Sequence, residues 1–326
     1  MYSKSAWITW ERQPRNRSMA DLFNAKYFEF SNNGNGIKRY LLCLKDTYFI
    51  FNSKSYSLIF VQNPSIILCF ISVILSKIFT TKLVIDAHNA GVYPNEGKSK
   101  FLLAINNWIL KRADLVLVTN RLLVDHLNKF DIKSEFIPDP LPSFPQINTE
   151  ELSNGNYLFV VCSWSLDEPI DLYIEVARML PEYVFKFSGN YKKYSDKIDF
   201  NTLPDNVVLL GFISEDEYVK TLANCLAVLD LTTRDDCLVC GAYESISLLK
   251  PVVVSDTVVN RELFHDSVCY SELNSASLIN AIHASQENSL IKKVEIFREE
   301  YSIKITLLQQ KICARLNYSI KCNEAN

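Results

Sequence analysis

The sequence has no apolar stretch long enough to cross a bilayer. Its longest uncharged apolar run lies from Ser65 to Ser76 within SIILCFISVILSKIF, short of the roughly 20 residues a spanning helix needs, and is expected to form a buried helix. The first residues, MYSKSAWITWERQPRNR, hold no apolar segment of signal-peptide length, so a cytoplasmic location is expected. Nine cysteines, an odd number scattered mostly through apolar runs, do not make a secreted disulfide framework. Cys237-Leu-Val-Cys240 has zinc or redox spacing but no second pair or histidine at ligand distance, and reads as a structural pair. Glycine is scarce, 8 of 326 residues, and Gly34-Asn-Gly36 lacks the third glycine of a dinucleotide fingerprint because position 39 is Arg. A P-loop and a G-x-S-x-G elbow are absent, and Asp235-Asp236 is not a D-x-D metal motif. No metal and no cofactor are implied.

What is present points to an ordinary globular chain of two domains. The 326 residues exceed what one core usually serves, and 48% hydrophobic with 22% charged residues exclude disorder and collagen-like structure. The charge is unevenly spread. Residues 1–149 carry 18 Lys and Arg against 11 Asp and Glu, whereas residues 150–326 carry 16 against 26. The basic half is expected to face anionic lipid or phosphate; nucleic acid is not expected, since the basic residues form no run and do not interleave with aromatics.

Strand and helix signals alternate along nearly the whole chain, the pattern of parallel sheets with crossover helices. Strands are expected at 6–10, 27–30, 57–62, 82–86, 115–118 and 134–137, and again at 157–162, 184–187, 206–210, 227–231 and 251–254. Helices are expected near 65–79, 98–112 and 120–129, then 170–180, 215–224, 239–249, 258–264 and 275–285. Pro138-Asp-Pro-Leu-Pro-Ser-Phe-Pro145 holds four prolines in eight residues, which no helix or central strand tolerates, and marks a boundary. Three segments follow: 1–145, 146–288, and a long helix with a polar tail over 289–326 that would pack back toward the first domain. Two doubly wound domains of this kind would place a ligand cleft between the carboxyl ends of their sheets.

The most informative segment runs from Leu229 to Asp256. A strand ends near Leu231, a polar loop follows, and a helix opens around Val239 to Gly241. Asp236 in the loop and Glu244 in the early helix would face one ligand space. The helix start offers free backbone N–H groups and a positive dipole end, a seat for phosphate, although Asp235 or Asp236 could equally serve as an ordinary cap.

A carboxylate, seven residues, then a glutamate followed by a small-residue helix and Lys-Pro-Val-Val-Val-Ser-Asp resembles the donor-site signature of GT-B glycosyltransferases, in particular the large retaining nucleotide-sugar group of bacterial polysaccharide biosynthesis. Other pieces fall in the same order: Leu83-Val-Ile-Asp-Ala-His-Asn89, Ala113-Asp-Leu-Val-Leu-Val-Thr-Asn120, Cys162-Ser-Trp-Ser-Leu-Asp-Glu-Pro169 and Val207-Val-Leu-Leu-Gly-Phe-Ile213. The resemblance implies an α/β GT-B fold, with two Rossmann-like doubly wound domains, a cleft between them and a closing C-terminal helix. It implies an enzyme, a hexosyltransferase-type transferase acting on a UDP-linked sugar donor and a glycan or polyprenyl-diphosphate-linked acceptor.

By this resemblance Glu244 would hold the ribose hydroxyls, Asp236 the donor sugar, and His88 the sugar near the breaking bond. Gly241, Ser163, Gly189, Phe212, Ile213 and Thr233 would line the donor. Asp236 departs from the family's usual Glu. The loop Ser163–Pro169 also lacks the usual lysine, so charge for the leaving diphosphate would come from Arg234, alternatively from Arg261 or from Arg12, Arg15 and Arg17 on the acceptor or phosphate side. A non-catalytic nucleotide-sugar-binding module and a GT-B-like sugar-nucleotide epimerase remain open. The charge split leads to an expected peripheral contact with the inner face of a membrane, weakened by salt.

Overall fold

The computed structural model describes residues 4–11, 13–30, 36–144, 147 and 155–319. The chain divides into two compact units, Met1–Pro140 with Ile303–Asn326, and Leu141–Ser302.

The first unit contains strands β1 (Ser5–Thr9), β2 (Ala25–Glu29), β3 (Leu58–Asn63), β4 (Lys82–Ala87), β5 (Leu115–Val118) and β6 (Ser134–Phe136), with helices α1 (Pro14–Leu22), α2 (Ile37–Asn52), α3 (Ile66–Ile78), α4 (Asn89–Val92), α5 (Lys100–Leu110) and α6 (Arg121–Asn128). The strands form one parallel sheet in the order β2-β1-β3-β4-β5-β6. The nearly continuous apolar runs of β3 to β5 follow from burial on both faces. Ile59, Val61, Leu83, Ile85, Val116 and Val118 enter one core; their alternates Leu58, Phe60, Val84, Leu115 and Leu117 enter the other.

The second unit contains β7 (Tyr157–Val160), β8 (Val184–Ser188), β9 (Val207–Gly211), β10 (Ala227–Asp230), β11 (Val252–Ser255) and β12 (Cys269–Ser271), with α7 (Ile170–Met179), α8 (Glu215–Asn224), α9 (Cys240–Ser247), α10 (Val258–Phe264) and α11 (Ser275–Ala284). Its parallel sheet has the order β12-β11-β10-β7-β8-β9. Counted within the unit this is the 3-2-1-4-5-6 order of dinucleotide-binding sheets, which reverses direction between β7 and β10. The last helix, α12 (Asn288–Arg315), contributes Phe297 and Tyr301, stacked at 5.2 Å, to the second unit. From Ile303 onward it belongs to the first, where Ile312, Cys313 and Leu316 join the core.

Four elements were not anticipated: α1, α2, the short α4 and β12. A further difference concerns α3. Its sequence suggests a buried helix, yet only one side is covered: Leu68, Cys69, Ser72 and Val73 are buried, while Ile67, Phe70, Ile74 and Ile78 face out.

Candidate functional site at the carboxyl edge of the second sheet

Strand order reverses between β7 and β10, the point where sheets of this kind bind ligands, and the loops after these two strands meet at the carboxyl edge. Most of the residues singled out in the sequence lie on this edge. β10 ends in Asp230, a buried carboxylate that sequence reasoning did not select. Its Oδ2 accepts from the Gly241 amide at 2.8 Å, so the positive end of α9, the suggested seat for a phosphate, is partly occupied by the protein's own carboxylate. Gly241 has to be glycine, because a Cβ there would stand 2.5 Å from Asp230 Oδ2. Burial pushes the Asp230 carboxyl well above the ordinary range, against the Gly241 hydrogen bond, and nearby Glu244, Glu168 and Asp167 add to the rise.

The loop that follows is locked from behind. The Ser255 hydroxyl donates to the Thr232 carbonyl at 2.7 Å and accepts from the Thr232 amide at 2.8 Å. Thr233, exposed, donates its amide to the Asp167 carbonyl at 2.7 Å. Arg234 reaches the same residue, with Nε 3.1 Å from Asp167 Oδ2; its partner is thus Asp167 rather than the adjacent Asp235. Asp236 is half-buried in the turn before α9. Glu244 lies one turn into α9, where the Tyr218 hydroxyl of α8 donates to its Oε2 at 2.6 Å. Burial pushes its carboxyl up to about 7, with Tyr218 opposing and Glu215 adding to the rise. Near neutrality Glu244 is therefore divided between its acid and carboxylate forms. Cys237 and Cys240 are not joined by a disulfide, and Cys240 is exposed.

After β7 the chain turns back on itself around an acidic side chain. Glu168 accepts from the Ser163 amide at 2.9 and 3.1 Å, the Ser165 amide at 3.0 Å and the Ser163 hydroxyl at 2.9 Å. Successive backbone N–H groups of this kind commonly hold anions; here the anion is the protein's own. Trp164 between them takes a left-handed φ of 62° and buries its ring, donating Nε1–H to the Ser188 carbonyl at 2.8 Å. Gly189, which follows β8 with φ 80°, lets the neighbouring loop approach: a Cβ would come within 2.2 Å of the Cys162 carbonyl oxygen. This approach brings a cation to the first loop. Lys193, exposed in the 3-10 turn Tyr191–Tyr194, donates Nζ–H to the Ser163 carbonyl at 3.2 Å. The loop has no basic residue of its own; Arg234 reaches its Asp167, and Lys193 comes to its Ser163 from 30 residues downstream.

Phe212, directly after β9, is 92% exposed, and Ile213 is half-buried. Arg261 of α10 is paired with Asp256, one contact measuring 2.6 Å, and its guanidinium lies 4.4 Å from the Tyr270 ring centre. Tyr218, Glu168, Lys193 and Asp230 were all missed from sequence. Asp230 carried one legible signal, a carboxylate closing an otherwise apolar strand.

In the first unit His88 follows β4, with Nε2 3.5 Å from Asp86 Oδ2. Burial pushes its pKa below the ordinary value, Asp86 pulling the other way and Arg15 reinforcing the drop, so the imidazole is neutral at neutral pH. Arg15, expected on the acceptor or phosphate side, is instead buried and committed. It donates from Nε and NH2 to the two Asp86 oxygens at 3.0 and 2.8 Å, to the Ile137 carbonyl at 3.1 Å, and to Asp139. Burial works against both charges, but Asp86 and Asp139 keep the Arg15 pKa raised, and Arg15 with His88 holds the Asp86 carboxyl below its usual range. Arg17 is exposed on α1, its guanidinium 5.9 Å from the Tyr27 ring centre. Arg12 lies outside the described residues.

The sequence matches no protein-family model and no curated protein. The structure does have solved relatives. It is similar to HepE from Anabaena in complex with UDP-glucose, with a TM-score of 0.69 and 15% identity over 96% of this chain and 99% of that one. It is similar to a sucrose-phosphate synthase from Thermosynechococcus elongatus, with a TM-score of 0.72 and 12% identity over 97% and 99%. A glycosyltransferase from Rickettsia africae matches with a TM-score of 0.65 and 11% identity over 98% and 100%. At such identities a likeness speaks for architecture and leaves the reaction to the side chains: the chain has the GT-B fold, built from two Rossmann-like α/β units.

Proposed function

We propose that this protein is a glycosyltransferase that takes a sugar from a UDP-linked donor and passes it, with retention of configuration, to a glycan or polyprenyl-diphosphate-linked acceptor in surface polysaccharide synthesis. The observation that carries this reading is the carboxyl edge of the second sheet, where Glu244 sits at the switch point with a near-neutral pKa. Structures of HepE with UDP and with UDP-glucose support it. Glu244 accepts from the ribose hydroxyls, and Asp236 accepts from the sugar. Gly241, Gly189 and Ser163 let backbone approach the diphosphate, and Phe212, Ile213 and Thr233 border the nucleotide.

In the transfer step the bond between the anomeric carbon and the diphosphate oxygen breaks, the acceptor oxygen bonds the same face, and the acceptor's proton passes to the departing phosphate. The edge is acidic, so the cation for that phosphate matters. Arg234 is half committed to Asp167 and Arg261 to Asp256, which favours Lys193 for the diphosphate. His88 is assigned to the transfer step, where a neutral imidazole can donate to or accept from a sugar hydroxyl. The reaction is placed on the cytoplasmic face of a membrane.

One observation favours a second reading, a nucleotide-sugar-binding module without transfer: Glu168 fills the backbone amides that a phosphate would use. Calorimetric titration with UDP and UDP-glucose, followed by assay of sugar transfer to lipid-linked acceptors, separates these. No binding of either nucleotide at millimolar concentration removes both readings, and binding without transfer or hydrolysis selects the second.

A further inference from the structure

Three neighbouring helices of the first unit turn large apolar side chains to the outside. On α3, Ile67, Phe70, Ile74 and Ile78 recur at three- and four-residue steps and are exposed. α2 packs beside α3 and buries only Cys43, Thr47 and Phe51, leaving Ile37, Leu41 and Tyr48 outside. α5, on the other side of α3, exposes Phe101 and Trp108. Ring contacts join the helices into one face, Tyr48 to Phe79 at 5.8 Å and Phe70 to Trp108 at 6.0 Å. Exposures of 79% for Ile37, 73% for Phe101 and 65% for Ile78 put whole side chains, not edges, in water. Scattered exposed apolar residues need no explanation, but a contiguous face of this kind marks an interaction surface.

The charges on the same helices identify the partner. α2, α3 and α5 carry Lys38, Arg39, Lys45, Lys77 and Lys100 against a single acid, Asp46. Three exposed aromatics carry cations on their rings: Arg112 lies 3.7 Å from the Trp108 ring centre, Lys45 5.8 Å from that of Phe49 and Arg39 5.9 Å from that of Tyr40. Aromatic rings beside long basic side chains, around an aliphatic stripe, suit the boundary between headgroups and acyl chains, where amines reach up while their stems stay apolar. A second copy docked by the same face would set these cations against one another. A spanning arrangement is excluded for α3, which has 13 residues.

We propose that the α2-α3-α5 face docks the chain on an anionic lipid bilayer, α3 lying in the plane of the surface with its apolar stripe among the acyl chains. This goes beyond the donor reading and is independent of it, since docking needs no nucleotide. It also differs from attachment by charge alone, because part of the binding should survive high salt.

The test is co-sedimentation of the full chain with phosphatidylcholine vesicles containing phosphatidylglycerol, and with pure phosphatidylcholine vesicles, at low and high salt. The wild type is expected to bind the anionic vesicles and to keep a measurable fraction bound at high salt. A variant with Ile67→Ser, Phe70→Ser and Ile74→Ser should bind at least about tenfold more weakly, with its circular dichroism spectrum unchanged. A readout that needs no variant comes from intrinsic fluorescence. Trp7, Trp10 and Trp164 are buried and Trp108 is the exposed tryptophan, so anionic vesicles should blue-shift the emission, and Trp108→Phe should abolish the shift. Absence of both wild-type binding and the blue shift overturns the proposal. So does unchanged binding by the folded triple variant, or a wild-type dimer in light scattering that the triple variant converts to a monomer.

Discussion

If Glu244 holds the ribose as a carboxylate, donor binding must be linked to its proton. The folded protein raises this carboxyl from 4.5 to about 7, and a ribose hydroxyl donates to the charged form. Binding should therefore release a proton, and affinity should rise as pH climbs through about 7. With only the carboxylate form competent, roughly a tenth of the protein is ready near pH 6 and roughly nine tenths near pH 8, which gives about tenfold, or about 1.4 kcal/mol, between the two. UDP-glucose is the ligand to use, because its diphosphate, esterified at both ends, has no proton to lose in this range. Calorimetry in buffers of different ionisation enthalpy should register the released proton directly, and Glu244→Gln should flatten the profile. The folding equilibrium carries the opposite sign. A raised pKa in the folded state means stability that is complete below the unfolded value of 4.5 and lost as pH rises through about 7. The loss is at most about 3 kcal/mol relative to Glu244→Gln, measured by urea unfolding. A wild-type affinity that stays flat from about pH 6 to 8, or the same slope in Glu244→Gln, refutes the assignment.

Glu244→Ala should weaken donor binding, whereas Asp236→Ala should mainly lower turnover, because ribose hydrogen bonds are made in ground and transition states alike; steady-state kinetics and titration together check the split. Lys193→Met should weaken UDP by roughly tenfold while leaving uridine unchanged, in keeping with a charge-assisted contact of about 1.5 kcal/mol; equal losses for both ligands would place Lys193 away from the phosphates. Arg15→Met should destabilise the protein by roughly 3–5 kcal/mol, since it strands the buried Asp86 without its counter-charge. That loss should appear in the urea midpoint, and a midpoint within experimental error of wild type would remove the buried ion pair from the stability of the first unit.

The alternation of strands and helices was legible because parallel strands buried on both faces write themselves as uninterrupted Val, Ile and Leu runs, as in LVLV of β5 and VVVS of β11. α2 escaped for a physical reason. It buries only three residues, and its other apolar side chains point outward, so their spacing does not follow a core-facing stripe. α1 is largely polar, PRNRSMADL, and β12 is three residues long. Of the site, the residues that are local to one loop could be read: Asp236, Gly241 and Glu244 share a segment. Those that depend on two loops meeting could not. Lys193 reaches Ser163 only because Gly189 lets one loop press on another, and Tyr218 reaches Glu244 from a separate helix. Arg15 was misjudged for the same reason. Its partners Asp86 and Asp139 lie 71 and 124 residues away, so a buried ion pair reads in sequence as part of a free basic cluster.

The acidity of the donor edge is the hardest feature to reconcile with a diphosphate, and the protonation states suggest how the conflict is eased. Glu244, Glu168 and Asp167 all act on the charge of Asp230, and four ionised groups there would repel an anionic ligand strongly. Each of the four has a different answer. Asp230 is driven toward its neutral form by burial, and Glu244 is part neutral near pH 7. Asp167 is matched by Arg234, and Glu168 is spread over two backbone amides and a hydroxyl. What remains exposed to a ligand is then less negative than the composition suggests, and a single lysine at Ser163 weighs more than it would on a neutral edge. Ionising Glu244 helps the ribose and at the same time adds a charge to the side on which the phosphates must lie. Both effects follow the same ionised fraction of Glu244, so together they set the net size of the rise through about pH 7, and donor binding levels off above it.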